Sequence, residues 1–446
     1  MINPHAAGID VASEEMWVCV PEDQVEQPDK NVRKFGAFTC DLAAIADWLT
    51  ACGVMTVAME STGVYWIPLY QILEERGFEV CLVNARQMKN VSGRPKTDRL
   101  DCRWIQRLHS YGLLMPSFRP QDEICQLRSL LRHRDAVIQG AARDIQHMQK
   151  SLHQMNILLD KVISDITGVT GTAIISAIVA GERDPQTLAT LRNPHCKKPE
   201  AEIAKALEGD YRDEHVFVLR QASEAYQFAQ QQRQQCDTTI EAWLQRTEKV
   251  IEVSAQPLPP TTSSHTKPQR NEPTYNARSY LYEIYGVDLT QIPGFQASTI
   301  QTLLSEVGRD VSPWKTEKHF TSWLGLCPNF KRSGGKDLSS QTRKVQSRSA
   351  RAFRAAARAL AKSQSYLGAF YRRMKARLGK PKAITATARK LAVIFYNMVK
   401  HGTAYQELGE DYYLKQQKQR QLKRLKKQAT LLGFDLVPNT PADSDA

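Results

Sequence analysis

The chain has 446 residues, a formal net charge of +13 and a pI of about 9.2. Its length predicts about two or three domains, and 42% hydrophobic with 24% charged residues is ordinary for a soluble protein. An apolar run of about 18 residues, which a membrane-spanning helix needs, is absent from the sequence. The positive balance favours a polyanionic partner, most simply nucleic acid.

The nine cysteines are scattered along the chain, and no Cys-x-x-Cys pair occurs. An odd number in this pattern predicts small buried side chains in a reducing compartment, rather than disulfides or a zinc site. Asp10 falls where the apolar part of a secretion signal would lie, so we expect a cytoplasmic protein.

Residues 5–120 alternate strand and helix signals, and residues 1–120 are predicted to form the first domain. Strands are predicted over 7–12, 16–20, 34–39, 54–59 and 78–83, and helices over 41–52, 64–76 and 98–113. An opening hairpin followed by strand–helix alternation predicts an α/β sheet layered with helices.

The rest of the chain is predicted to be mostly helical. Residues 122–163 contain no Pro and only Gly140, and their apolar residues recur at helical spacing. This pattern indicates one long helix or a helical hairpin that packs against a partner chain or another helix, so a homo-oligomer (dimer or tetramer) is expected. The predicted segments are a long helical, coiled-coil-like segment (121–165), a helical segment with an insertion (166–256), a Pro/Ser/Thr-rich linker (257–274), a C-terminal domain (275–405) and a basic tail (406–446).

Two stretches, 166–182 and 292–308, resemble each other. Each carries a glycine soon after an isoleucine and then an apolar helix that ends near another glycine. This is the pattern of a helix-hairpin-helix half, whose backbone N–H groups can hold a phosphate. An ordinary helical turn is the alternative.

In the C-terminal domain, the charged residues of the stretch 331–390 are almost all positive. Arg348, Arg351, Arg354 and Arg358 recur at helical spacing, and Asp337 is the only acid in residues 331–390. A solvated face normally mixes signs, so this stretch favours phosphate contacts. The tail over 415–427 is a second basic helix or a disordered arm.

Four carboxylates suggest a metal site. Asp10 lies inside an apolar strand, where a carboxylate needs a cation or hydrogen-bond donors. Glu60 ends a second apolar strand, and strand ends are where α/β sheets build sites. Asp98 and Asp101 share one face of a helix that Thr97 caps. Hard oxygen ligands favour one or two Mg²⁺ or Mn²⁺ ions, which can catalyse phosphodiester displacement.

Each of these acids also has a purely structural interpretation. Asp98 can offset the helix dipole, and Asp10 can cap a turn. Asp101 can pair with Arg99 or Arg103. Spacing alone leaves these alternatives open.

Five blocks of the sequence occur in this order: GIDVA (8–12), MESTGVYW (59–66), VNARQMKNVSGRPKTDRLDCRWIQRL (83–108), IPGFQAST (292–299) and GLCPNFKRSGGK (325–336). In these blocks and in their order the sequence resembles the IS110/IS1111 family of transposases, whose N-terminal domain is RuvC-like. The resemblance implies a RuvC/RNase H-like fold for residues 1–120. It also implies a metal-binding DEDD tetrad, with two Mg²⁺ (or Mn²⁺) ions per site, at Asp10, Glu60, Asp98 and Asp101.

The resemblance further places a nucleophilic serine at Ser333, in composite sites shared between subunits. It implies DNA (element ends and target) as substrate, a guide RNA from the element in some members, and a bacterial or archaeal cytoplasm with the protein at the nucleoid. Gly334 and Gly335 would let a phosphate approach the serine, and Lys331, Arg332 and Lys336 would bind its charge. Ser339 and Ser340 are nearby rivals for the nucleophile.

Three functions therefore stay open. The first is a transposase that cuts and rejoins DNA through the four acids and Ser333. The second is a RuvC-like nuclease or junction resolvase that uses water and needs no serine. The third is a catalytically inactive nucleic-acid-binding protein, for which the acids would have no purpose.

Overall fold

The computed structural model describes residues 1–61, 63–84, 97–253, 256–260 and 270–437. Thr62, most of the block over 83–108 that precedes Thr97, and the middle of the predicted linker lie outside the described residues. The chain divides into two compact units, Met1–Arg119 and Pro120–Ala446. The finer domain boundaries predicted from the sequence stay predictions.

The first unit is built on a five-stranded sheet. Its strands are β1 (Ala6–Val11), β2 (Glu15–Cys19), β3 (Val32–Gly36), β4 (Thr56–Glu60) and β5 (Glu79–Val83). They lie in the order β3-β2-β1-β4-β5, with β1 antiparallel to β2 and parallel to β4. The five predicted strands are confirmed with small shifts at their ends. This mixed α/β sheet is consistent with a RuvC-like start.

Helices cover both faces of this sheet. They are α1 (Thr39–Ala51), α2 (Trp66–Glu75) and α3 (Asp98–Ser110), which confirms the three predicted helices. Apolar side chains of α1 and α2, such as Leu49 and Leu73, form one core with Ile9 and Met59. On the other face Ile105 of α3 packs in a smaller cluster with the strands β4 and β5. Because successive strand residues point to opposite faces, β4 contributes Met59 to the first core and Ala58 to the second.

The second unit is mostly helical, as predicted. Its helices are α4 (Asp122–Gln154), α5 (Leu159–Val162), α6 (Val169–Ala180), α7 (Pro185–Thr190), α8 (Glu200–Ala206), α9 (Asp213–Arg246), α10 (Ala277–Tyr285), α11 (Ala297–Val307), α12 (Glu317–Trp323), α13 (Arg348–Ala359), α14 (Tyr366–Leu378), α15 (Lys380–His401) and α16 (Gly409–Leu431). Two short strands, β6 (Lys331–Ser333) and β7 (Lys336–Ser339), interrupt them. None of the described helices is long and apolar enough to cross a membrane.

The long helix α4 packs against α9 of the same chain. Arg134 near the start of α4 donates to Asp237 near the end of α9, with Nε 2.5 Å from Oδ1, and both side chains are buried. Met148, late in α4, shares a core with Val216, early in α9, so the two helices run antiparallel. The sequence predicted that this helix packs against a partner chain or against another helix. The structure shows that it packs against another helix of the same chain.

The prediction of one long helix over 122–163 is wrong at its C-terminal end. Helix α4 stops at Gln154, and Asn156 adopts a φ of +57°. Asparagine tolerates this left-handed conformation better than most residues, so it turns the chain out of the helix. The short α5 then follows as a separate element.

Candidate active site

Two of the four candidate acids stand at adjacent positions on neighbouring parallel strands. In the register of β1 and β4, Ile9 pairs with Met59, and Asp10 and Glu60 each follow that pair by one residue. Ile9 and Met59 point into the core with α1 and α2. By strand alternation, Asp10 and Glu60 point to the opposite face, where α3 packs. Both acids are half-buried there.

Gly8 is the reason that α3 lies so close to β1. A Cβ atom at this position would stand 2.2 Å from the Gln106 backbone N and 2.5 Å from the Cys102 backbone O. Only a residue without a side chain permits this approach, and a glycine inside a strand is a known sign of close backbone contact. Sequence reasoning used the GID block for Asp10 alone and missed the role of its glycine.

The other two acids lie in the first turn of α3. Asp98 and Asp101 each precede by four residues a side chain that packs on the sheet, Cys102 and Ile105 respectively, so both acids share the sheet-facing side of the helix. The predicted N-cap is confirmed, since the Thr97 side chain accepts from the Leu100 N–H at 3.4 Å. Asp98 is exposed and Asp101 is half-buried.

Arg99 and Arg103, the two possible structural partners of Asp101, each donate a hydrogen bond to another residue. Arg103 donates to the Asn31 side chain at 3.0 Å. Arg99 donates to the Asp29 carbonyl at 3.4 Å.

Electrostatics connect Asp10 to the start of α3. The pKa of the Cys102 thiol is raised, first by its hydrogen bond with Cys19, then by burial, and also by the negative charge of Asp10. The charge of Asp10 therefore acts on Cys102, the residue next to Asp101. Among the described residues, however, no three histidine, cysteine, aspartate or glutamate side chains are arranged to hold a metal ion. The structure thus gathers the acids on one face without drawing them into a ligand shell.

Ser333 is at the tip of a β-hairpin, where the sequence had indicated only a loop. Strands β6 and β7 are antiparallel, with Ser333 paired to Lys336 across the turn. Gly334 and Gly335 form that turn with φ of +54° and +74°. Positive φ at both central residues is the requirement of a two-residue hairpin turn of type I′, and a Gly-Gly pair is one of its sequence signals. That signal was available and was not used.

The hairpin sorts its charges between two faces. Ser333 and Lys336 are a directly opposed pair, so their side chains leave on the same face, and both are exposed. Arg332 and Asp337 are the next pair and form an ion pair. The guanidinium of Arg332 also lies over the Phe330 ring, 5.7 Å from its centroid. Lys336 is therefore the cation better placed to meet a phosphate at Ser333.

The rival serines differ in accessibility. Ser339 is half-buried, and its Oγ accepts from the Gln341 N–H at 3.3 Å. Ser340 is exposed but lies beyond the end of β7. Open space surrounds Gly334 and Gly335 on the side where a Cβ would stand, so the hairpin tip can receive a backbone phosphate.

The four predicted phosphate-binding arginines of α13 are not equivalent. Arg348 forms ion pairs with Asp135 of α4 and Glu306 of α11, so it connects three helices. Arg351 and Arg358 are exposed, and Arg354 is half-buried. The pKa of Arg354 is lowered by burial and by the adjacent charge of Arg358. Close positive charges of this kind are relieved by a bound anion.

The two similar stretches begin their helices differently. Gly168 is the N-cap of α6, whereas Gly294 precedes α11 by three residues with a φ of +87°. An ideal Cβ on Gly294 would stand 2.7 Å from the Ala356 carbonyl, so this glycine lets the turn pack on α13. Phosphate binding by these turns stays a prediction.

Two family models match this chain. A DEDD transposase model of the IS110 type matches residues 7–157, and a model of the IS116/IS110/IS902 transposase family matches residues 288–372. The chain belongs to the IS110 family of transposases. No curated protein matches it in a sequence comparison.

The matched regions contain the candidate residues of this transposase. Asp10, Glu60, Asp98 and Asp101 lie in the first region, and Ser333 lies in the second, with the arginines of α13. The family cuts and rejoins DNA, which implies DNA binding, and its DEDD domain suggests dependence on a divalent metal. Residues 158–287 and 373–446 lie outside both matches.

Proposed function

We propose that this transposase cuts and rejoins DNA by transesterification, with Asp10, Glu60, Asp98 and Asp101 as metal ligands and Ser333 as nucleophile. The observation that carries the proposal is the shared face of the sheet: strand alternation and the packing of α3 direct all four carboxylates to one side. Four hard oxygen donors suit Mg²⁺ (or Mn²⁺), two ions per site being our expectation.

The acids divide the work of holding the ions. Asp10 and Glu60 come from rigid strands, while Asp98 and Asp101 come from the first turn of α3. When bound, divalent ions would polarise the scissile phosphate and stabilise the leaving oxygen. The two acids on α3 also lie in its first turn, at the positive end of the helix dipole, where carboxylates stabilise a helix.

Ser333 supplies the covalent step. Its Oγ forms a bond to phosphorus, the bond from phosphorus to the leaving strand's oxygen breaks, and the serine proton is lost to water while the leaving oxygen becomes a hydroxyl. The ester conserves the phosphodiester bond energy, so a free hydroxyl of another DNA strand can reverse the step and join the two. The exposed hairpin tip and the two glycines support this role.

Basic residues hold the DNA backbone in this proposal. Lys336 shares the face of Ser333, and Lys331 is exposed on the same strand. On α13, Arg351, Arg354 and Arg358 add three further cations, of which Arg351 and Arg358 are exposed. Arg332 and Arg348 already pair with carboxylates of the protein, so we expect them to contribute less to DNA binding.

Two further features are carried over from the family resemblance. A guide RNA from the element selects the DNA, and a homo-oligomer (dimer or tetramer) assembles composite sites. The water-using nuclease and the inactive binding protein remain the competing functions, and one experiment separates all three.

The experiment is covalent trapping. The purified protein is incubated with Mg²⁺, DNA from the element's ends and total RNA from cells carrying the element, and a protein–DNA adduct is sought on a denaturing gel. Ser333→Ala and Asp10→Ala are compared with two matched controls, Ser340→Ala and Asp23→Asn, which change exposed side chains of the same type.

We expect an adduct that both site variants lose and both controls retain. Cleavage without an adduct, unaffected by Ser333→Ala, would favour the water-using nuclease. Binding without cleavage in the presence of Mg²⁺ and Mn²⁺ would favour the inactive protein.

A further inference from the structure

The last helix, α16, lies outside both regions that match the transposase family. Its first part is fixed to the domain. The Tyr413 ring is buried and meets the Tyr366 ring edge-on at 4.9 Å between centroids. Arg373 donates to the Tyr413 hydroxyl at 3.2 Å, and Arg372 pairs with Glu410 at 2.6 Å. These contacts anchor the start of α16 on α14.

The remainder of α16 leaves the domain as an arm. Glu410 contacts α14 near its middle, at Arg372, whereas Tyr413 also reaches Tyr366 at the start of α14, so the two helices run antiparallel. Beyond that end of α14, residues 421–431 contain no buried side chain. We call residues 420–431 the C-terminal arm.

After its first turn, which carries Glu410 and Asp411, the charge of α16 has a single sign. Seven lysines and arginines lie between Lys415 and Lys427, and no acid occurs in residues 412–434. Uncompensated like charges on neighbouring helical turns destabilise a helix. A solvated face would mix signs, so this composition favours a polyanionic partner.

Three exposed cations of the arm lie on the Tyr413 side of α16. Arg420, Arg424 and Lys427 follow Tyr413 at helical spacing, so they continue the side of α16 that Tyr413 buries. At the base of the arm stands Lys390 of α15, whose Nζ is 4.4 Å from the Tyr366 ring centroid. Burial lowers the pKa of Lys390, and the positive charge of Arg420 lowers it further. Neither cation has a carboxylate partner within the part of the chain that the structure describes.

We propose that the C-terminal arm is a backbone-binding site for duplex DNA, with phosphates against Arg420, Arg424 and Lys427 and with Lys390 at its base. Taking DNA as the polyanion rests on the proposed function. Arg420 and Lys427 are about 10 Å apart along a helix axis, over which duplex DNA carries about six phosphates. The arm is thus long enough for each cation to have its own phosphate.

The exposed leucines of α16 fit a membrane surface poorly. Leu414, Leu422 and Leu425 are exposed on the side away from Tyr413, but Lys418 and Gln421 interrupt their stripe. A helix that lies in a membrane interface presents a continuous apolar face. The three cations on the Tyr413 side, in contrast, begin with Arg420, whose charge acts on Lys390.

The salt dependence of DNA binding tests this site. The arm variant carries Arg420→Gln, Arg424→Gln and Lys427→Gln in the full chain, because glutamine has nearly the same helix propensity as arginine and lysine. The matched control removes three other exposed helical cations by Arg143→Gln, Lys150→Gln and Lys205→Gln. A charge-retaining variant carries Arg420→Lys and Arg424→Lys. Binding of a short DNA duplex, of a hairpin RNA with the same number of phosphates, and of phosphatidylcholine–phosphatidylserine vesicles is measured across salt concentrations.

We expect the arm variant to bind the duplex at least about tenfold more weakly at low salt, with a slope of log K against log salt reduced by about 0.9 for each lost phosphate contact. The control and the charge-retaining variant should keep the parent slope, and circular dichroism should show that every variant is folded. An unchanged duplex slope in the arm variant overturns the proposal. A loss confined to the RNA or to the vesicles also overturns it.

The result is independent of the chemistry proposed above. The salt slope reports binding by the parent and the arm variant, whereas the covalent adduct reports the reaction of Ser333. A missing covalent adduct together with a reduced slope in the arm variant would refute the serine mechanism and leave the DNA-binding arm in place.

Discussion

In the first unit, Asp10 and Glu60 directly follow buried strand residues, and α3 rests on the backbone of β1 at Gly8. In the second unit, Ser333 stands at the exposed tip of a short hairpin whose strands have only three and four residues. One set of candidate residues is fixed by close packing on a five-stranded sheet. The other is held by a turn with open space beside it.

The difference matches two chemical tasks. Metal ligands must stand at fixed separations, because a divalent ion tolerates little variation in its oxygen distances. A nucleophile that enters and leaves a covalent bond with DNA must instead reach the phosphate and then give it up. We therefore expect the first unit to respond to small changes of volume, and the hairpin to respond to changes of charge.

The largest effect is expected from Gly8→Ala. The added Cβ would stand 2.2 Å from the Gln106 N and must push α3 from the sheet. Overpacking of this kind costs about 1–3 kcal/mol of unfolding free energy, and more where backbone cannot move. Thermal unfolding of the full chain and hydrogen exchange in β1 and α3 would measure it, and adduct formation should fall as well.

Gly140→Ala is the matched control for this substitution. Gly140 lies inside α4, and the nearest atom to an added Cβ is an Arg143 nitrogen at 4.0 Å. Alanine in a helix interior is about 0.5–1 kcal/mol more favourable than glycine, so the same substitution should here stabilise the protein. If both variants unfold at the same temperature as the parent, close packing at Gly8 does not fix the acids. The contrast between a tightly packed first unit and an open hairpin would then be wrong.

The next effect concerns charge at the hairpin. Lys336→Gln should lower the rate of adduct formation by about ten- to hundredfold, because a hydrogen bond to a charged group contributes about 1.5–3 kcal/mol. Arg332→Gln should change it far less, since Arg332 lies on the other face in an exposed ion pair with Asp337. Both residues are exposed, so neither variant should alter the melting temperature. Equal losses in the two variants would contradict the division of the hairpin into two faces.

Much of the fold could be predicted because its signals are local. Alternating apolar residues gave the five strands, and the helical period and Thr97 gave α3 and its start. The end of α4 was missed because a single residue, Asn156, turns the chain by adopting a positive φ. No periodic pattern records such a turn.

The candidate site was only partly predictable, because several of its contacts join residues far apart in the sequence. The adjacency of Asp10 and Glu60 depends on the parallel register of β1 and β4, which joins positions about 50 residues apart and has no local signal. The pairing of Arg348 with Asp135 and Glu306 is likewise long-range, so the spacing of the four arginines could not distinguish it. The Gly-Gly turn beside Ser333 was local and could have been found.

The smallest expected effect is a pH dependence confined to the first unit. His109 of α3 is buried, and its Nε2 lies 2.9 Å from the Thr56 Oγ1. Since that hydroxyl donates to the Glu79 carbonyl, His109 donates to it through Nε2. Burial lowers the pKa of His109 from its usual 6.5, although the negative charge of Glu79 opposes the shift.

The sign of the effect follows from this lowered pKa. Below pH 6.5 the unfolded chain protonates its histidine while the folded unit keeps His109 neutral, so the free energy of unfolding falls as pH falls and is fully restored above that value. His109→Gln should remove this dependence, as measured by hydrogen exchange in β1 and β4 corrected for the intrinsic effect of pH. His401→Gln, at an exposed position in the other unit, should not remove it. Equal hydrogen-exchange protection of the parent's first unit above and below pH 6.5 would contradict this prediction. It would show that α3 moves to accommodate a protonated His109, and hence that its packing is less rigid than the contact at Gly8 implies.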